Sequence, residues 1–234
     1  MIIGLAARDA ALPDWFPGEA AIAGFLAARQ PLYRYRKPRY QLRLLEDLAR
    51  LMPAGERRVL DVGAGTGLLA EAIGTLFPGK RVTAADTAER TLPGLRVPFV
   101  AFDGRRLPFA AGAFDCALLC NVLHHVRRED RQPLLREVLR VTGGGPLLIK
   151  DHLARGALDD LRLRWLDLAG NLPFGGMLAA EYLDSRQWGE LLSALGCSGS
   201  LLGASAYRSG LSARCFPNRL EICFSVTQAA SKPA

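Results

Sequence analysis

Between residues 58 and 150, short apolar runs alternate with segments whose apolar residues recur at helical spacing. Helical stripes follow two of these runs, one ended by Pro78-Gly79 and one by Gly143-Gly144-Gly145. Because parallel neighbours in a sheet need crossover connections, the alternation predicts a doubly wound α/β fold with a mainly parallel sheet. The apolar runs, typical of buried strands, cover 58–62, 81–85, 97–102, 114–120 and 146–150.

Segments of a different kind flank this alternation. Leucines recur at helical spacing over 40–52, and 18–29 is also amphipathic, so we predict an N-terminal helical cap over residues 1–56. Residues 57–234 then form the main domain. After the fifth strand, residues 151–183 are too long for a simple crossover, which predicts a helical insertion that closes as a lid.

The C-terminal part completes the predicted sheet. Asp184 or Ser185 is expected to cap a helix that ends at Gly196. Two strands near 200–207 and 220–226 follow, and the turn-rich stretch between them predicts an antiparallel hairpin at one edge. The predicted sheet therefore has seven strands.

The first predicted strand ends in a glycine-rich loop, Leu60-Asp-Val-Gly-Ala-Gly-Thr-Gly67. Ligands of open parallel sheets bind at the carboxyl ends of the strands, and glycines let a ligand approach the backbone. A dinucleotide fingerprint needs its third glycine at Leu68, and no G-x-x-x-x-G-K-[ST] loop is present, which argues against a nicotinamide-dependent reductase and against triphosphate binding. Asp86, at the end of the second strand, can accept both ribose hydroxyls of a nucleoside.

These motifs continue in an order that resembles the class I S-adenosylmethionine-dependent methyltransferases. The resemblance is to the type 11 group, which includes the ubiquinone and menaquinone C-methyltransferases, and it covers about residues 57–151. It implies a Rossmann-like methyltransferase fold with S-adenosylmethionine as cofactor. After the glycine loop, the matching motifs are Asp103-Gly104, Leu107-Pro-Phe109, Gly112-Ala-Phe-Asp115 and Cys120-Asn-Val-Leu-His-His-Val126.

The resemblance also implies a role for each matched position. Asp61 would orient the loop and the methionine amino group of the donor. Asp86 would bind the ribose diol with Thr87 beside the adenine, although Asp86 could instead cap the next helix. The loop residues expected to lie against the donor are Gly63, Ala64, Gly65 and Gly67.

The other implied donor contacts follow the third and fourth strands. Asp103 would accept from the adenine amino group, with Gly104 donating to the ring, although Asp103 could instead serve a turn. Asn121 would lie near the methionine portion and the sulfonium. A cationic donor needs acceptors around it and few competing cations, so the set is physically coherent.

The three histidines of the chain, His124, His125 and His152, follow the fourth and fifth strands. A base is needed only where the acceptor must lose a proton, and histidine suits that task near pH 7. We predict His125 or His152 in this role and a structural role for His124. A metal site made of His125, Asp151 and His152 is conceivable, but adjacent residues usually point in different directions, so we predict no metal.

Charge and composition bear on the partners. The net charge is +7, and residues 29–50 carry seven basic against two acidic residues. This segment could meet RNA, an anionic membrane surface or an acidic substrate, but a solvated helix face is the favoured interpretation. The odd number of cysteines, without C-x-x-C spacing, and the absence of a secretory signal indicate a cytoplasmic protein.

The prediction from the sequence is methyl transfer to the oxygen or carbon of a small acceptor. The apolar lid residues, Trp165 and Phe174 among them, favour an apolar or aromatic molecule. An RNA methyltransferase that uses the basic segment is one alternative, although the Asn/Asp-Pro-Pro-Tyr/Phe motif of base amino methylation is absent. A protein that binds S-adenosylmethionine without turnover is another.

Overall fold

One mixed sheet organises the described part of the chain in this computed structural model, which describes residues 3–5, 11–34, 38–55, 57–171, 179–202 and 206–228. The strands lie in the order β1-β7-β8-β6-β5-β2-β3-β4. The bounds are β1 Ile3–Leu5, β2 Arg57–Val62, β3 Lys80–Asp86, β4 Phe99–Ala101, β5 Cys116–Cys120, β6 Leu147–His152, β7 Cys197–Leu202 and β8 Glu221–Gln228.

The doubly wound α/β fold predicted from the sequence is confirmed. Strands β2 to β6 pair in parallel, and all seven predicted strands are present. Strand β8 runs antiparallel to both β6 and β7, as the predicted hairpin requires. The sequence did not predict β1, which lies within the predicted helical cap and adds a short parallel strand beside β7.

Helices cover both faces of the sheet. The predicted N-terminal helices are present, and the insertion after β6 contains one helix over residues 157–171, while its described residues 153–156 and 179–183 form no helix. Phe174 of the predicted lid lies outside the described residues. The helices are α1 Glu19–Arg29, α2 Arg39–Leu51, α3 Leu68–Leu76, α4 Arg128–Val141, α5 Ala157–Asn171, α6 Ser185–Ala194 and α7 Gly210–Cys215, with a 3₁₀ helix at Leu123–His125.

Alternating side chains of the strands feed two hydrophobic cores. In β5, Leu118 packs in the core under α1, α2 and α3, whereas Leu119 packs in the core under α4 and α6. The near-continuous apolar character of the strands follows, because a sheet covered on both faces buries both sets of side chains.

Asp184 is the N-cap of the α6 helix, as predicted from the sequence. Its side chain and that of Gln187 form a capping box.

The strand order reverses beside β2, which pairs with β3 on one side and β5 on the other. Crevices at such a point bind ligands in open α/β sheets. No helix among the described residues combines the length and the apolar character needed to cross a bilayer.

Candidate active site

A cavity of about 920 Å³ opens at the carboxyl ends of β2, β3 and β5. The loop after β2 and the 3₁₀ helix form part of its wall, and the start of α2 closes it from the other side. Its volume lies within the range of small-molecule sites. The predicted donor residues that line it are Asp61, Gly63, Ala64, Gly65, Asp86, Thr87, Asp103, Gly104 and Asn121.

The glycine loop turns sharply because its glycines adopt positive φ. At Gly63 φ is +74°, and a Cβ built there would lie 2.6 Å from a methyl carbon of Val122. Gly65 also has positive φ, and a Cβ there would meet nothing within 4 Å, because that side faces open space. Gly67 is a correction to the predicted donor set. It does not line the cavity and instead packs against Leu95 at the start of α3.

Asp86 holds the loop in place. Its Oδ2 accepts from the backbone N–H of Gly65 at 2.7 Å, and its Oδ1 accepts from that of Thr87 at 2.7 Å. Arg90 lies 3.5 Å from the same carboxylate. The residue predicted to bind the ribose is therefore also a structural residue. It does not cap a helix, which was the alternative left open by the sequence, because residues 87–98 form no helix.

Asp61 is a buried carboxylate at the cavity wall with an unsatisfied oxygen. It is 2% exposed, and its Oδ2 has no hydrogen-bond partner among the described residues. Burial, with a further contribution from the charge of Asp86, raises its pKa to about 7. A buried acceptor without a partner is costly, so this oxygen fits a cationic donor that enters the cavity. The ammonium group of S-adenosylmethionine is such a donor.

Asp103 and Gly104 lie at the exposed rim of the cavity. The Oδ1 of Asp103 accepts from the backbone N–H groups of Arg105 at 2.8 Å and Arg106 at 2.7 Å. These hydrogen bonds lower the pKa of Asp103. Asp103 thus has the turn role that the sequence left as an alternative. It also lines the same cavity as Asp61 and Asp86.

Asn121 follows β5 in a left-handed conformation, with φ at 58°. Its side chain bonds to the Tyr40 hydroxyl at 2.9 Å and accepts from Lys150 Nζ at 2.7 Å. Lys150 is fully buried, pairs with Glu221, and lies 4.9 Å from the centre of the Tyr40 ring. Burial, opposed by the nearby charge of Lys150, raises the pKa of Tyr40 to about 12. Tyr40 therefore brings a neutral hydroxyl to the cavity.

The structure separates the two histidines that were predicted as bases. His125 lines the cavity, and its Nδ1 lies 2.8 Å from the carbonyl oxygen of Ala179. His152 is only 3% exposed and does not line the cavity, so its predicted place beside an acceptor is not supported. Its ring lies 3.1 Å from Glu221, behind the cavity wall.

His124 is buried between two carboxylates. Its Nδ1 bonds to Asp151, and its Nε2 lies 3.2 Å from Asp167 Oδ2. Burial lowers the pKa of His124, but the two carboxylates outweigh it and raise the pKa to about 9. For His125, burial and then the neighbouring His124 lower the pKa.

The comparisons with known proteins agree with this geometry. Residues 60–149 match the profile of a family described as a methyltransferase domain. The match identifies residues 60–149 as a methyltransferase domain. The matched range of the methyltransferase domain includes the glycine loop, Asp86, Asp103 and Asn121.

Two curated relatives resemble the methyltransferase domain. Malonyl-[acyl-carrier protein] O-methyltransferase of Legionella pneumophila is 29% identical over 131 residues, covering 53% of this chain and 45% of that protein. Demethylmenaquinone methyltransferase of Thermus thermophilus is 33% identical over 102 residues, which cover 40% of this chain and 46% of that protein. The alignments thus span less than half the length of these relatives.

Solved structures resemble a larger part of the chain. Magnesium protoporphyrin IX methyltransferase from Synechocystis, solved with bound SAH, has a TM-score of 0.56 over 85% of this chain and 87% of its own. Its identity is 17%, so the likeness concerns the fold of the methyltransferase domain.

Sequence reasoning missed several residues around the cavity. Tyr40 comes from the N-terminal cap, and Asp167 comes from the insertion, 42 residues beyond His125. Their contacts with the site depend on how α2 and α5 pack, which no local pattern reports. The available signal was the run Lys150-Asp-His152, three polar residues that end an otherwise apolar strand.

Proposed function

We propose that this chain transfers a methyl group from S-adenosylmethionine to an oxygen or carbon atom of a small acceptor. The observation that carries the proposal is the shared cavity of Asp61, Asp86 and Asp103, with one buried oxygen of Asp61 unsatisfied. Three carboxylates at successive strand ends suit a cation that carries a ribose and an adenine.

The donor would lie along the three strand ends. Asp61 would accept from the ammonium group, which supplies the missing partner of Oδ2. Asp86 would accept from the ribose hydroxyls while it continues to hold Gly65, because a carboxylate has about four acceptor positions. Asp103, Gly104 and Thr87 would bind the adenine. Asn121 and the backbone of Gly63, Ala64 and Gly65 would enclose the methionine portion.

When bound, the donor supplies a methyl group on a positively charged sulfur, and a nucleophile of the acceptor displaces that sulfur in line. The chain contributes position and exclusion of water. The side chain of Asn121 donates to the hydroxyl of Tyr40 at the cavity wall. The α2 helix, which carries Tyr40, covers this part of the cavity. A methyl transfer of this kind needs a base only where the acceptor is protonated.

His125 is the histidine placed to reach the acceptor. A carbonyl oxygen only accepts, so the Nδ1 that faces Ala179 must carry the hydrogen. The lone pair then lies on Nε2. That atom can take a proton from an acceptor or bind a metal ion, and both functions require the same tautomer.

Two measurements test the proposal. Calorimetry with S-adenosylmethionine is expected to show one site per chain, and a labelled-methyl assay over a small-molecule extract is expected to show transfer. Binding without transfer to any acceptor would instead favour a non-catalytic binding protein. Absence of binding would overturn the proposal.

A histidine variant adds a second test. His125→Ala is expected to lower turnover while the dissociation constant of S-adenosylmethionine changes little, because none of the proposed donor contacts is made by His125. His125→Ala turning over at the wild-type rate would show that the acceptor needs no group at this position.

A further inference from the structure

The three histidines of the chain converge on one carboxylate, that of Asp167 in α5. The Nε2 of His124 lies 3.2 Å from Asp167 Oδ2, and the Nε2 of His125 lies 4.0 Å from the same oxygen. The Nε2 of His152 lies 3.7 Å from Asp167 Oδ1. The sequence argument against neighbouring ligands fails here, because the rings of His124 and His125 have their centres 4.1 Å apart.

The opposite nitrogens of these rings face acceptors. The Nδ1 of His124 bonds to Asp151, and the Nδ1 of His125 faces the carbonyl of Ala179. Metal-binding histidines have this arrangement, in which an outer acceptor fixes the tautomer and the other nitrogen faces the ion.

His124 supplies an independent observation. The residue is 1% exposed, and its Nε2 has no hydrogen-bond partner of suitable geometry among the described residues. The carboxylate oxygen near this nitrogen is Asp167 Oδ2, 3.2 Å away. A buried polar atom without a partner requires an explanation, and an absent ligand is one.

The separations also fit a small ion. Bonds of about 2.0–2.2 Å to a tetrahedral ion place neighbouring ligand atoms roughly 3.3–3.5 Å apart. The Nε2 atoms of His124 and His125 lie 3.2 and 4.0 Å from Asp167 Oδ2, and the three ligand atoms all lie within 4.8 Å of one another. Side-chain movements of about 1 Å would therefore bring them to the separations that a tetrahedral ion needs.

We propose that His124, His125 and Asp167 bind a divalent transition-metal ion of the zinc class at the wall of the cavity. Imidazole with carboxylate favours ions such as Zn²⁺, Co²⁺ and Ni²⁺ over Mg²⁺. The hydroxyl of Tyr182 donates to Asp167 Oδ2 at 2.6 Å and would orient this ligand. The ion borders the cavity through His125.

This inference goes beyond methyl transfer and does not depend on it. Without a bound ion, His124 carries a proton and forms buried ion pairs with Asp151 and Asp167. With the ion bound, the Nε2 of His125 is a ligand and not a base. The ion would then lower the pKa of an acceptor hydroxyl that reaches it.

Metal binding by the full chain, freed of any histidine tag, tests the inference. Titration with Co²⁺ is expected to give a visible ligand-field absorption that saturates at one ion per chain and is displaced by Zn²⁺ but not by Mg²⁺. Asp167→Asn and His125→Gln are expected to weaken Co²⁺ binding by about tenfold or more. The matched control is Asp160→Asn, because Asp160 lies on the same helix and pairs with Arg164 at the surface. It should bind as the wild type does.

Several outcomes would overturn the inference. These are absence of the absorption in the wild type, its persistence in both variants, or equal loss in Asp160→Asn. Circular dichroism checks the fold of each variant. If Asp167→Asn does not fold, His125→Gln decides, because His125 lies at the cavity wall and not in the core. Binding of S-adenosylmethionine, measured on the same samples, separates failure of the metal site from failure of the donor site.

Discussion

Asp61 is the residue on which a pH dependence of donor binding rests. Its pKa of about 7 lies well above the ordinary value of a carboxyl group, because the free protein buries it near Asp86. Below that pH the group is neutral and attracts an ammonium group weakly. We therefore expect the affinity for S-adenosylmethionine, measured by calorimetry, to increase as the pH rises through 7. The slope should reach at most about tenfold per pH unit.

Asp61→Asn provides the control for this dependence. The variant should bind the donor weakly and with little change between pH 6 and 8. It should also be more resistant to urea than the wild type at pH 8, because a raised pKa means that the ionised carboxylate destabilises the free protein above pH 7. A wild-type affinity that stays flat across this range would show that Asp61 does not meet the ammonium group.

Asp86→Ala is expected to weaken donor binding and to lower the melting temperature. The variant loses the ribose acceptor and also the acceptor that holds Gly65 and Thr87. At about 1–3 kcal/mol for the loss of the ribose acceptor, the dissociation constant should rise by roughly fivefold to 150-fold. Calorimetry and thermal unfolding measure the two effects.

Asp103→Ala is the comparison for Asp86→Ala. Asp103 is exposed, so its loss should reduce donor affinity with a smaller change in melting temperature. If Asp86→Ala kept the wild-type affinity, the ribose would lie elsewhere. The family resemblance of the sequence implied the three carboxylates Asp61, Asp86 and Asp103 that line the cavity. The sequence could not predict that Asp86 accepts a hydrogen bond from the glycine loop, or that one oxygen of Asp61 has no hydrogen-bond partner among the described residues.

Among the secondary-structure elements, α2 is the one whose position the site depends on. Asp47 of this helix is 1% exposed and accepts from the hydroxyl of Tyr207 at 2.6 Å. The ring of Tyr207 also packs against that of Tyr40, with centres 5.1 Å apart. The contact joins residues 160 positions apart, so the sequence predicted the helix but not what fixes it.

Tyr207→Phe is expected to lower the free energy of unfolding by about 1.5–3 kcal/mol, because it removes a hydrogen bond to a buried carboxylate. Urea unfolding measures the change. Tyr33→Phe is the control, since Tyr33 accepts from Gln41 nearer the surface and should change stability by less than about 0.5 kcal/mol. Equal effects of the two variants would mean that the Asp47 contact does not hold α2.

Element boundaries followed from periodicity for the helix and strand that enter the first βα unit, but the strand predicted near 200–207 is observed as Cys197–Leu202. The predicted helix at 40–52 is observed as Arg39–Leu51, and the predicted strand at 58–62 as Arg57–Val62. The α7 helix and β1 were missed. A three-residue strand such as Ile3–Leu5 has too few side chains for a pattern and exists only through its pairing with β7.

The charge of the whole molecule bears on the RNA alternative. The net charge is +7, yet the described arginines of the basic segment 29–50 have partners within the chain. Arg29 pairs with Glu71 at 2.8 Å, and Arg43 pairs with Glu46. Arg34 and Arg39 donate to backbone carbonyls, and Arg50 lies 3.4 Å from Asp47; Arg36 and Lys37 lie outside the described residues.

We therefore expect no salt-sensitive binding of a fluorescent RNA by anisotropy at micromolar protein concentrations. A surface that neutralised several phosphates would lose roughly 10³-fold or more in affinity between about 50 and 200 mM salt. Because Arg29, Arg43 and Arg50 are paired with carboxylates, they would release few counterions, and so steep a slope should not occur here. RNA that binds at low salt and dissociates steeply as salt rises would restore the RNA methyltransferase alternative, and Arg39→Ala with Arg43→Ala would then show whether this segment carries the binding.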